Sequence, residues 1–201
     1  MEPKKMRKLE TRENTIYVKY IKEILGKSIA VLFLLFFWWL YVVCAVMIIA
    51  ETGFPVIYRQ RRVGKGGKIF YVYKFRTMVK NADKIGPEST SAADSRITKM
   101  GGILRKTSLD ELPQMINIIR GDMNLVGFRP DVPRDTDDLK EKKYLLKPGI
   151  TGLAQVNGRS SLTIEEKRYW EEKYPQVVSF GTDLRIIGKT FRQVLLRKGT
   201  N

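Results

Sequence analysis

The hydrophobic pattern of the chain begins with one long apolar stretch. Residues 29–50 contain no charged side chain and neither proline nor glycine. A stretch of this length is sufficient to cross the hydrocarbon core of a bilayer. A buried core helix of the same length and hydrophobicity would be unusual in a chain of 201 residues. We therefore predict a membrane-inserted helix here, which together with a charged lead-in forms residues 1–52.

Strand-like and turn-like segments follow the apolar stretch. Residues 56–58 and 69–75 predict two strands, and the glycine-rich residues 65–68 predict the turn of a hairpin between them. The glycine cluster at residues 64–67 is also a weak phosphate-loop signal, but a hairpin turn is the simpler interpretation. The small and polar residues 81–95 predict a loop.

Helical periodicity returns in the second half of the chain. A short helix is predicted to reach Arg105. Ser108 is predicted to cap the next helix, with Glu111 completing a capping box and Gly121 ending the helix. The mixed charges of residues 131–143 predict an exposed helix or linker.

The C-terminal part predicts a strand, a loop and two amphipathic helices. Residues 147–159 predict a turn, a short strand and a glycine-bounded loop that carries Arg159. Residues 163–173 and 182–196 predict the helices. The second helix places its apolar side chains near one face: Leu184, Ile187, Phe191, Val194 and Leu195. That face either packs on the core or lies in the membrane interface. We predict an α+β fold, mostly helical with a small β-hairpin or sheet, whose main domain is residues 53–201.

Composition limits the chemistry. A net charge of +16 predicts an anionic partner, which is nucleic acid, a phosphorylated small molecule or anionic lipid. The chain has no histidine, which excludes a Ser-His-Asp triad, imidazole acid–base catalysis and histidine metal ligands. Its single cysteine, Cys44, excludes an internal disulfide and a cysteine-rich zinc site.

The candidate chemistry is concentrated in residues 101–130. Two adjacent carboxylates, Asp110 and Glu111, stand among four basic residues: Arg105, Lys106, Arg120 and Arg129. The simplest interpretation is that these carboxylates cap a helix and favour its dipole. Alternatively, one attacks phosphorus while the other holds a divalent metal and the arginines bind phosphate oxygens.

Several motifs in this stretch favour the second interpretation. They are Arg105, the Asp-Glu-Leu-Pro-Gln block at residues 110–114, Asn117, Gly-Asp-Met at residues 121–123, and Val-Gly-Phe-Arg-Pro at residues 126–130. Together they closely resemble the core of the bacterial sugar transferases, the monotopic phosphoglycosyl transferases. Similar segments occur at residues 60–64, 73–78, 94–98 and 147–159. The one departure in the core is Phe128, where the family usually has proline.

The resemblance implies an activity and a set of partners. Such an enzyme transfers a phospho-sugar from a UDP-sugar to undecaprenyl phosphate, giving a polyprenyl-diphosphate-sugar and UMP, and so starts glycan assembly. The implied partners are the UDP-sugar, the polyprenyl phosphate and membrane lipid, without nucleic acid. The implied location is the cytoplasmic face of the bacterial inner membrane.

The resemblance also implies residue roles. Asp110 is the nucleophile that forms a covalent phospho-sugar intermediate, and Glu111 is catalytic and binds Mg²⁺. The residues implied to bind substrate are Arg105, Arg129, Gln114, Lys74, Arg76 and Arg159.

The membrane segment of this family is a re-entrant helix–break–helix, normally broken by a Ser-Pro pair. Trp38 and Trp39 occupy that place here. Basic residues on both flanks favour a segment that enters and leaves on one side, whereas the missing proline favours a straight span. We predict re-entry, with the straight span as the alternative.

Two other classes of protein are alternatives. One is a membrane-anchored phosphatase of polyprenyl phosphate, and the other is a membrane-anchored protein that binds anionic lipid or nucleic acid. Release of UMP from a UDP-sugar only when lipid phosphate is present separates the transferase from both.

Overall fold

The computed structural model describes residues 10–86, 94–133, 139–158 and 161–196. The helices are α1 (Lys22–Thr52), α2 (Ala82–Ile85), α3 (Lys99–Lys106), α4 (Gln114–Arg120), α5 (Leu153–Asn157), α6 (Ile164–Val177) and α7 (Phe180–Leu195). The strands are β1 (Ile57–Val63), β2 (Ile69–Phe75), β3 (Asn124–Val126) and β4 (Gly149–Thr151). The chain is therefore mostly helical with two small sheets, as predicted.

The apolar stretch forms most of α1, which a π-helical turn at Tyr17–Ile21 precedes. Together they make one helix that is long and apolar enough to cross a membrane, and 11% of its most apolar segment is buried. Such exposure does not fit a core helix of a water-soluble protein, so it supports membrane association.

A kink divides α1 at Phe37, whose backbone torsions (φ −113°, ψ 17°) are not helical. We call residues 22–36 the first arm and residues 38–52 the second arm. The kink lies one residue before the Trp38-Trp39 pair at which the sequence predicted a break. The large side chains around it are all exposed: Leu35, Phe36, Phe37, Trp38 and Trp39.

Both arms pack on the same body of the protein. In the first arm, Ala30 is buried in a cluster that also contains Phe70 and Val72 of β2 and Ile118 of α4. In the second arm, the buried side chains lie in a cluster with β2 and α3: Cys44, Ile48, Phe75 and Leu104. Strand β2 therefore contributes to the packing of both arms.

The predicted hairpin is confirmed, although its first strand is longer than expected. β1 and β2 are antiparallel and pair from Ile57 opposite Phe75 to Val63 opposite Ile69. The glycine cluster forms a 3₁₀ turn at Lys65–Gly67, where Gly66 and Gly67 adopt positive φ angles. Since this turn simply joins the two strands, the hairpin interpretation of the cluster is correct.

The predicted glycine-bounded loop after β4 is wrong, because residues Leu153–Asn157 form α5. Ala154 and Val156 of this helix are buried, and Val156 lies in a cluster with Tyr174 and Ile186. A single turn of helix is too short to show a periodicity in sequence, and tertiary packing stabilises it.

The prediction for residues 131–143 is also corrected. Both ends of this segment are buried, and the Lys143 ammonium group forms ion pairs with Asp131 (2.8 Å), Glu141 (2.9 Å) and Glu171 (3.1 Å). The pairing with α6 could not be seen in the sequence, because Glu171 is distant along the chain. Residues 134–138 lie outside the described residues.

The two C-terminal helices are confirmed with shifted ends. α6 begins with a complete capping box at Thr163 and Glu166. α7 buries Ile186 in the core, while Leu184 and Phe191 on the predicted apolar face are 58% and 66% exposed. Ile187 of the predicted face also packs against the core cluster, so that face is divided between the core and the exposed surface of α7.

A buried polar network joins the first arm to these helices. The Lys22 ammonium group lies 2.7 Å from Asp183 Oδ2 in α7, and the Tyr174 hydroxyl of α6 donates to Asp183 Oδ1 at 2.6 Å. Breaking a buried pair of this kind by removing one partner is costly, so the network fixes the base of α1 on the C-terminal helices.

Candidate active site

The site centres on Glu111, at the end of a 3₁₀ turn, Leu109–Glu111. Its Oε1 atom accepts a hydrogen bond from Lys74 Nζ at 2.9 Å and contacts Arg129 Nη1 at 3.4 Å. Burial opposes ionisation of this carboxyl group, but the charges of Lys74 and Arg129 outweigh it and lower its pKa to about 2. Glu111 is therefore a carboxylate throughout the physiological pH range.

Asp110, its neighbour in the turn, is shifted in the opposite direction. Burial, reinforced by the charge of Glu111, raises the pKa of Asp110 to about 6, while the charges of Lys74, Arg105 and Arg129 oppose the rise. Two carboxyl groups of one turn thus titrate far apart, and such separation is typical of sites that use the two groups differently.

Arg105 reaches the site from the last turn of α3. Its Nε atom donates a hydrogen bond to the buried Thr77 hydroxyl at 2.9 Å, just beyond the end of β2. Gly101 lets α3 approach this strand end, since a Cβ atom at Gly101 would lie 2.0 Å from the Thr77 carbonyl oxygen. The close approach therefore places the Arg105 side chain beside the carboxylates.

Arg129 comes from the opposite side, after β3. Its side chain is 47% exposed and still contacts Glu111. The preceding residue, Phe128, is buried and packs edge-to-face on Tyr144 with ring centroids 5.3 Å apart. The aromatic side chain of Phe128 thus anchors this segment in the core, and Arg129 lies at the site in contact with Glu111.

The other predicted substrate-binding residues lie differently. Gln114 is buried in the first turn of α4. Arg76 is also buried, and its Nη2 atom donates to the Thr52 hydroxyl and the Gly53 carbonyl at the end of α1. Burial lowers the pKa of Arg76, and no carboxylate contributes to the shift. Arg159 lies outside the described residues.

The predicted capping box at Ser108 is wrong. Ser108 has left-handed torsions (φ 58°) and its side chain makes no capping hydrogen bond. Glu111 binds Lys74 and Arg129 instead, and α4 starts only at Gln114, so both carboxylates precede the helix. The spacing fits a capping box, but the long-range ion pairs of Glu111 decide its orientation. The predicted end of the helix is confirmed, because Gly121 is left-handed (φ 82°).

Sequence reasoning did not assign roles to two residues that support the site. Asn117 is buried in α4, where its Oδ1 accepts from the Tyr73 amide (3.0 Å) and its Nδ2 donates to the Tyr71 carbonyl (2.7 Å), which fixes β2 to α4. Tyr41 of the second arm donates its hydroxyl to the Leu112 carbonyl at 2.8 Å. The sequence signal for Tyr41 was its hydroxyl group in the middle of an apolar run, because such a group needs a hydrogen-bond partner.

One ionised carboxylate, one carboxyl group of raised pKa and three cations converge at this turn. Cations in such an arrangement bind phosphate oxygens, and the carboxylates can act as a nucleophile and as a metal ligand. With the exposed apolar α1, this arrangement supports a membrane-associated enzyme that acts on phosphorylated substrates.

Comparison with known proteins agrees with this class. The sequence profile of the bacterial sugar transferase family matches residues 17–197. The uncharacterised sugar transferase EpsL of Bacillus subtilis is 41% identical over 153 residues, which are 74% of each chain. The exopolysaccharide production protein ExoY of Sinorhizobium fredii is 39% identical over 75% of this chain and 74% of its own.

Longer relatives share the same region. The undecaprenyl-phosphate galactose phosphotransferase of Salmonella typhimurium is 38% identical over 75% of this chain, but the match covers 36% of that protein. The chain thus spans about three-quarters of the shorter relatives and just over a third of this longer one. The chain belongs to the bacterial sugar transferase family and is an enzyme of the phosphoglycosyl transferase class.

Proposed function

We propose that the chain transfers a sugar phosphate from a UDP-sugar to a polyprenyl phosphate, giving a polyprenyl-diphosphate-sugar and UMP at the cytoplasmic face of the bacterial inner membrane. The observation that carries this proposal is the pair Asp110 and Glu111, whose pKa values are shifted in opposite directions within one cluster of cations. The names of three relatives support the lipid acceptor, because they are undecaprenyl-phosphate transferases of galactose, glucose and N-acetylgalactosamine phosphates.

In the first step, ionised Asp110 attacks the phosphorus that bears the sugar. A bond forms between the carboxylate oxygen and phosphorus, and the bond from that phosphorus to the UMP oxygen breaks, so UMP leaves. Arg105 and Arg129 approach the turn from two sides and are suited to stabilise the charge of the phosphate oxygens. The raised pKa of Asp110 makes its carboxylate more basic and hence a better nucleophile.

In the second step, an oxygen of the polyprenyl phosphate attacks the same phosphorus. The bond to Asp110 breaks, the carboxylate is regenerated, and the diphosphate-linked sugar remains on the lipid. The two phosphoryl groups carry several negative charges, and the basic chain suits such substrates. The acceptor of the second step separates this enzyme from a phosphatase, in which water would attack the phosphorus.

The residues present fit a magnesium ion. Among the described residues, Lys74 and Arg129 both contact Oε1 of Glu111, which leaves Oε2 of this ionised carboxylate for a metal. Within the described ranges no group of three acidic, histidine or cysteine side chains could hold a metal alone. Mg²⁺ is commonly bound by one or two carboxylates together with substrate phosphates, so Glu111 would hold it with the donor diphosphate. Bound there, the ion would neutralise charge on that diphosphate.

Re-entry of α1 through one face of the membrane is part of the proposal. Ala30 of the first arm lies in one core cluster with Phe70, whereas Ile48 of the second arm lies in another with Phe75. In a straight helix Ala30 and Ile48 would lie about 27 Å apart. Phe70 and Phe75 lie only about 17 Å apart along a strand. The kink at Phe37 and the packing of both arms on one body support a helix that returns to its own side.

The exposed face of α7 extends the membrane-facing surface. Phe180, Leu184 and Phe191 are exposed along this helix, and the Phe180 ring packs edge-to-face on Tyr17 at the base of the first arm. An amphipathic helix with apolar side chains on one side and cations on the other is suited to the bilayer interface. We therefore assign α7 to the interfacial layer, with α1 inserted beside it.

The test is a reaction of the purified full chain with undecaprenyl phosphate, Mg²⁺ and UDP-galactose, UDP-glucose or UDP-N-acetylgalactosamine. We expect UMP and a lipid-linked sugar diphosphate from at least one donor, and a phospho-sugar adduct on Asp110 when the acceptor is omitted. Release of inorganic phosphate from undecaprenyl phosphate without a donor would indicate the phosphatase instead. Absence of UMP from all three donors would contradict the proposal.

A further inference from the structure

The second arm of α1 makes polar contacts with the catalytic elements as well as apolar ones. Three of its side chains make such contacts: Tyr41 to the segment after the catalytic turn (Leu109–Glu111), Glu51 to the start of α3, and Thr52, together with the adjacent Gly53 carbonyl, to Arg76 just after β2. Polar side chains are scarce in the second arm, and these three side chains all contact the body of the protein. All three groups point to the body that carries the site.

The Tyr41 contact lies beside the reacting residues. Its hydroxyl donates to the carbonyl of Leu112 at 2.8 Å, and Leu112 directly follows Glu111. The Tyr41 ring is held by Phe75, with centroids 5.7 Å apart, and the Leu112 side chain packs against the cluster that contains Cys44 and Ile48. The catalytic turn is thus fixed from the membrane side by one hydrogen bond and by apolar packing.

The Glu51 contact fixes the other half of the site. Its two carboxylate oxygens accept from the amides of Lys99 (2.8 Å) and Met100 (3.1 Å), which are the first residues of α3. This helix carries Arg105 at its other end. A carboxylate in this position stabilises the helix in two ways. It accepts hydrogen bonds from amides that have no partner within the helix, and its negative charge interacts favourably with the helix dipole.

We propose that Tyr41 and Glu51 are positioning residues: the second arm holds the turn of Asp110 and Glu111 through Tyr41 and the helix of Arg105 through Glu51. The membrane-inserted helix is then a structural part of the active site in addition to an anchor. This inference rests on the proposed function for its kinetic readout, but not for its structural one.

The two contacts hold different groups, so their loss has different kinetic effects. Tyr41→Phe removes one hydroxyl and loosens the nucleophile, which lowers kcat by about tenfold with little change in KM, because small misplacement of reacting groups is expensive. Glu51→Ala frees the start of α3 and displaces Arg105, which raises KM for the donor more than it lowers kcat. Glu51→Gln keeps one oxygen acceptor and restores part of the loss.

The matched controls are Tyr20→Phe, an exposed tyrosine of the helix before the first arm, and Glu165→Ala, an exposed glutamate in the first turn of α6. Both should retain wild-type kcat and KM. Steady-state kinetics use undecaprenyl phosphate and the donor on which the wild type is most active. Wild-type kinetics in both Tyr41→Phe and Glu51→Ala would overturn the positioning role.

Hydrogen–deuterium exchange of the full chain in detergent gives a readout that needs no activity. Amides of residues 109–115 should exchange faster in Tyr41→Phe, and those of residues 99–103 faster in Glu51→Ala, while α6 and α7 are unchanged. Unchanged exchange at both sites overturns the inference even if the transferase reaction is confirmed. If no donor yields UMP, the proposed function fails, and the exchange data still decide the positioning.

Discussion

Asp110 carries a charge that the folded protein disfavours. Its pKa of about 6 lies above the value of about 3.9 that an aspartate has in an unfolded chain. By linkage, its protonated form stabilises the fold below pH 4, and this contribution is lost as pH rises through about 6. The nucleophile is therefore ionised at neutral pH at a cost in stability.

Replacement by asparagine should reverse that cost. At pH 8 we expect Asp110→Asn to raise Tm by a few degrees, and at pH 4 to leave it near the wild-type value, while transferase turnover is abolished. Thermal unfolding in detergent at the two pH values checks the stability, and UMP release checks the activity. Glu165→Gln, which removes the charge of an exposed carboxylate in the first turn of α6, is the control. Wild-type turnover in Asp110→Asn would falsify the assignment of the nucleophile.

The same pKa predicts the pH dependence of the first step. The burst of UMP released from a subsaturating UDP-sugar without a lipid acceptor gives kcat/KM of the first step, and the phosphates of UMP and of the acceptor, which titrate near pH 6, are not reactants in it. We expect kcat/KM to fall about tenfold per pH unit below about pH 6 and to level off above pH 7. A profile that stays flat down to pH 5 would show that the attacking group is not this carboxylate.

Glu111 is the opposite case, because its folded pKa of about 2 lies below its unfolded value. Its contribution to stability is present above about pH 4.3 and is lost as pH falls towards 2. Glu111→Gln removes the charge that faces Lys74 and Arg129. We expect the Mg²⁺ concentration for half-maximal rate to rise by at least about tenfold, since even loss of groups that only support a metal ligand has that effect. Equal Mg²⁺ dependence in the variant and the wild type would show that Glu111 does not bind the metal.

At the scale of elements, α3 offers a paired test of close packing. A Cβ atom at Gly101 would lie 2.0 Å from the Thr77 carbonyl, whereas one at Gly102 would meet nothing within 4 Å. Gly101→Ala should therefore push α3 away from β2, lower stability by more than about 1 kcal/mol and reduce activity through Arg105. Gly102→Ala should stabilise the helix by up to about 1 kcal/mol with activity intact. Thermal unfolding measures the stability of the two variants, and UMP release measures their activity. Equal effects of the two substitutions on stability and activity would contradict the packing argument.

For the whole molecule, the question is on which side of the membrane the chain before α1 lies. Single cysteines at Thr15 and Glu165, in a Cys44→Ala background, are treated with an impermeant thiol reagent in intact cells. Re-entry predicts that neither position is labelled until the cells are permeabilised, because both lie on the cytoplasmic side. A straight span would carry eight basic residues of the lead-in across the membrane, against the positive-inside tendency. Labelling of residue 15 alone in intact cells would establish that span.

Local sequence was sufficient for the parts of this protein that depend on composition and short-range pattern. The apolar run of α1, the β1–β2 hairpin, the end of α4 at Gly121 and the two C-terminal helices follow from charge, turn residues and periodicity. The motif in residues 101–130 likewise identified the family that the comparisons confirm. These features depend on residues that are close together in the sequence, so they can be predicted without knowledge of distant contacts.

Tertiary structure decided everything that depends on pairing between distant residues. Glu111 faces Lys74 and Arg129 instead of capping a helix, because ion pairs with two other segments outweigh one local hydrogen bond. Residues 131–143 look exposed in sequence, but both ends of this segment are buried. The reason is that Lys143 forms an ion pair with Glu171 of α6, which is distant along the chain. The side of α7 that enters the core follows from its cluster with Val126, Val156 and Tyr174, and the contact of Tyr41 with Leu112 follows from how α1 packs on the domain. A sequence pattern records which side chains are apolar or charged, but only the fold determines which of them meet.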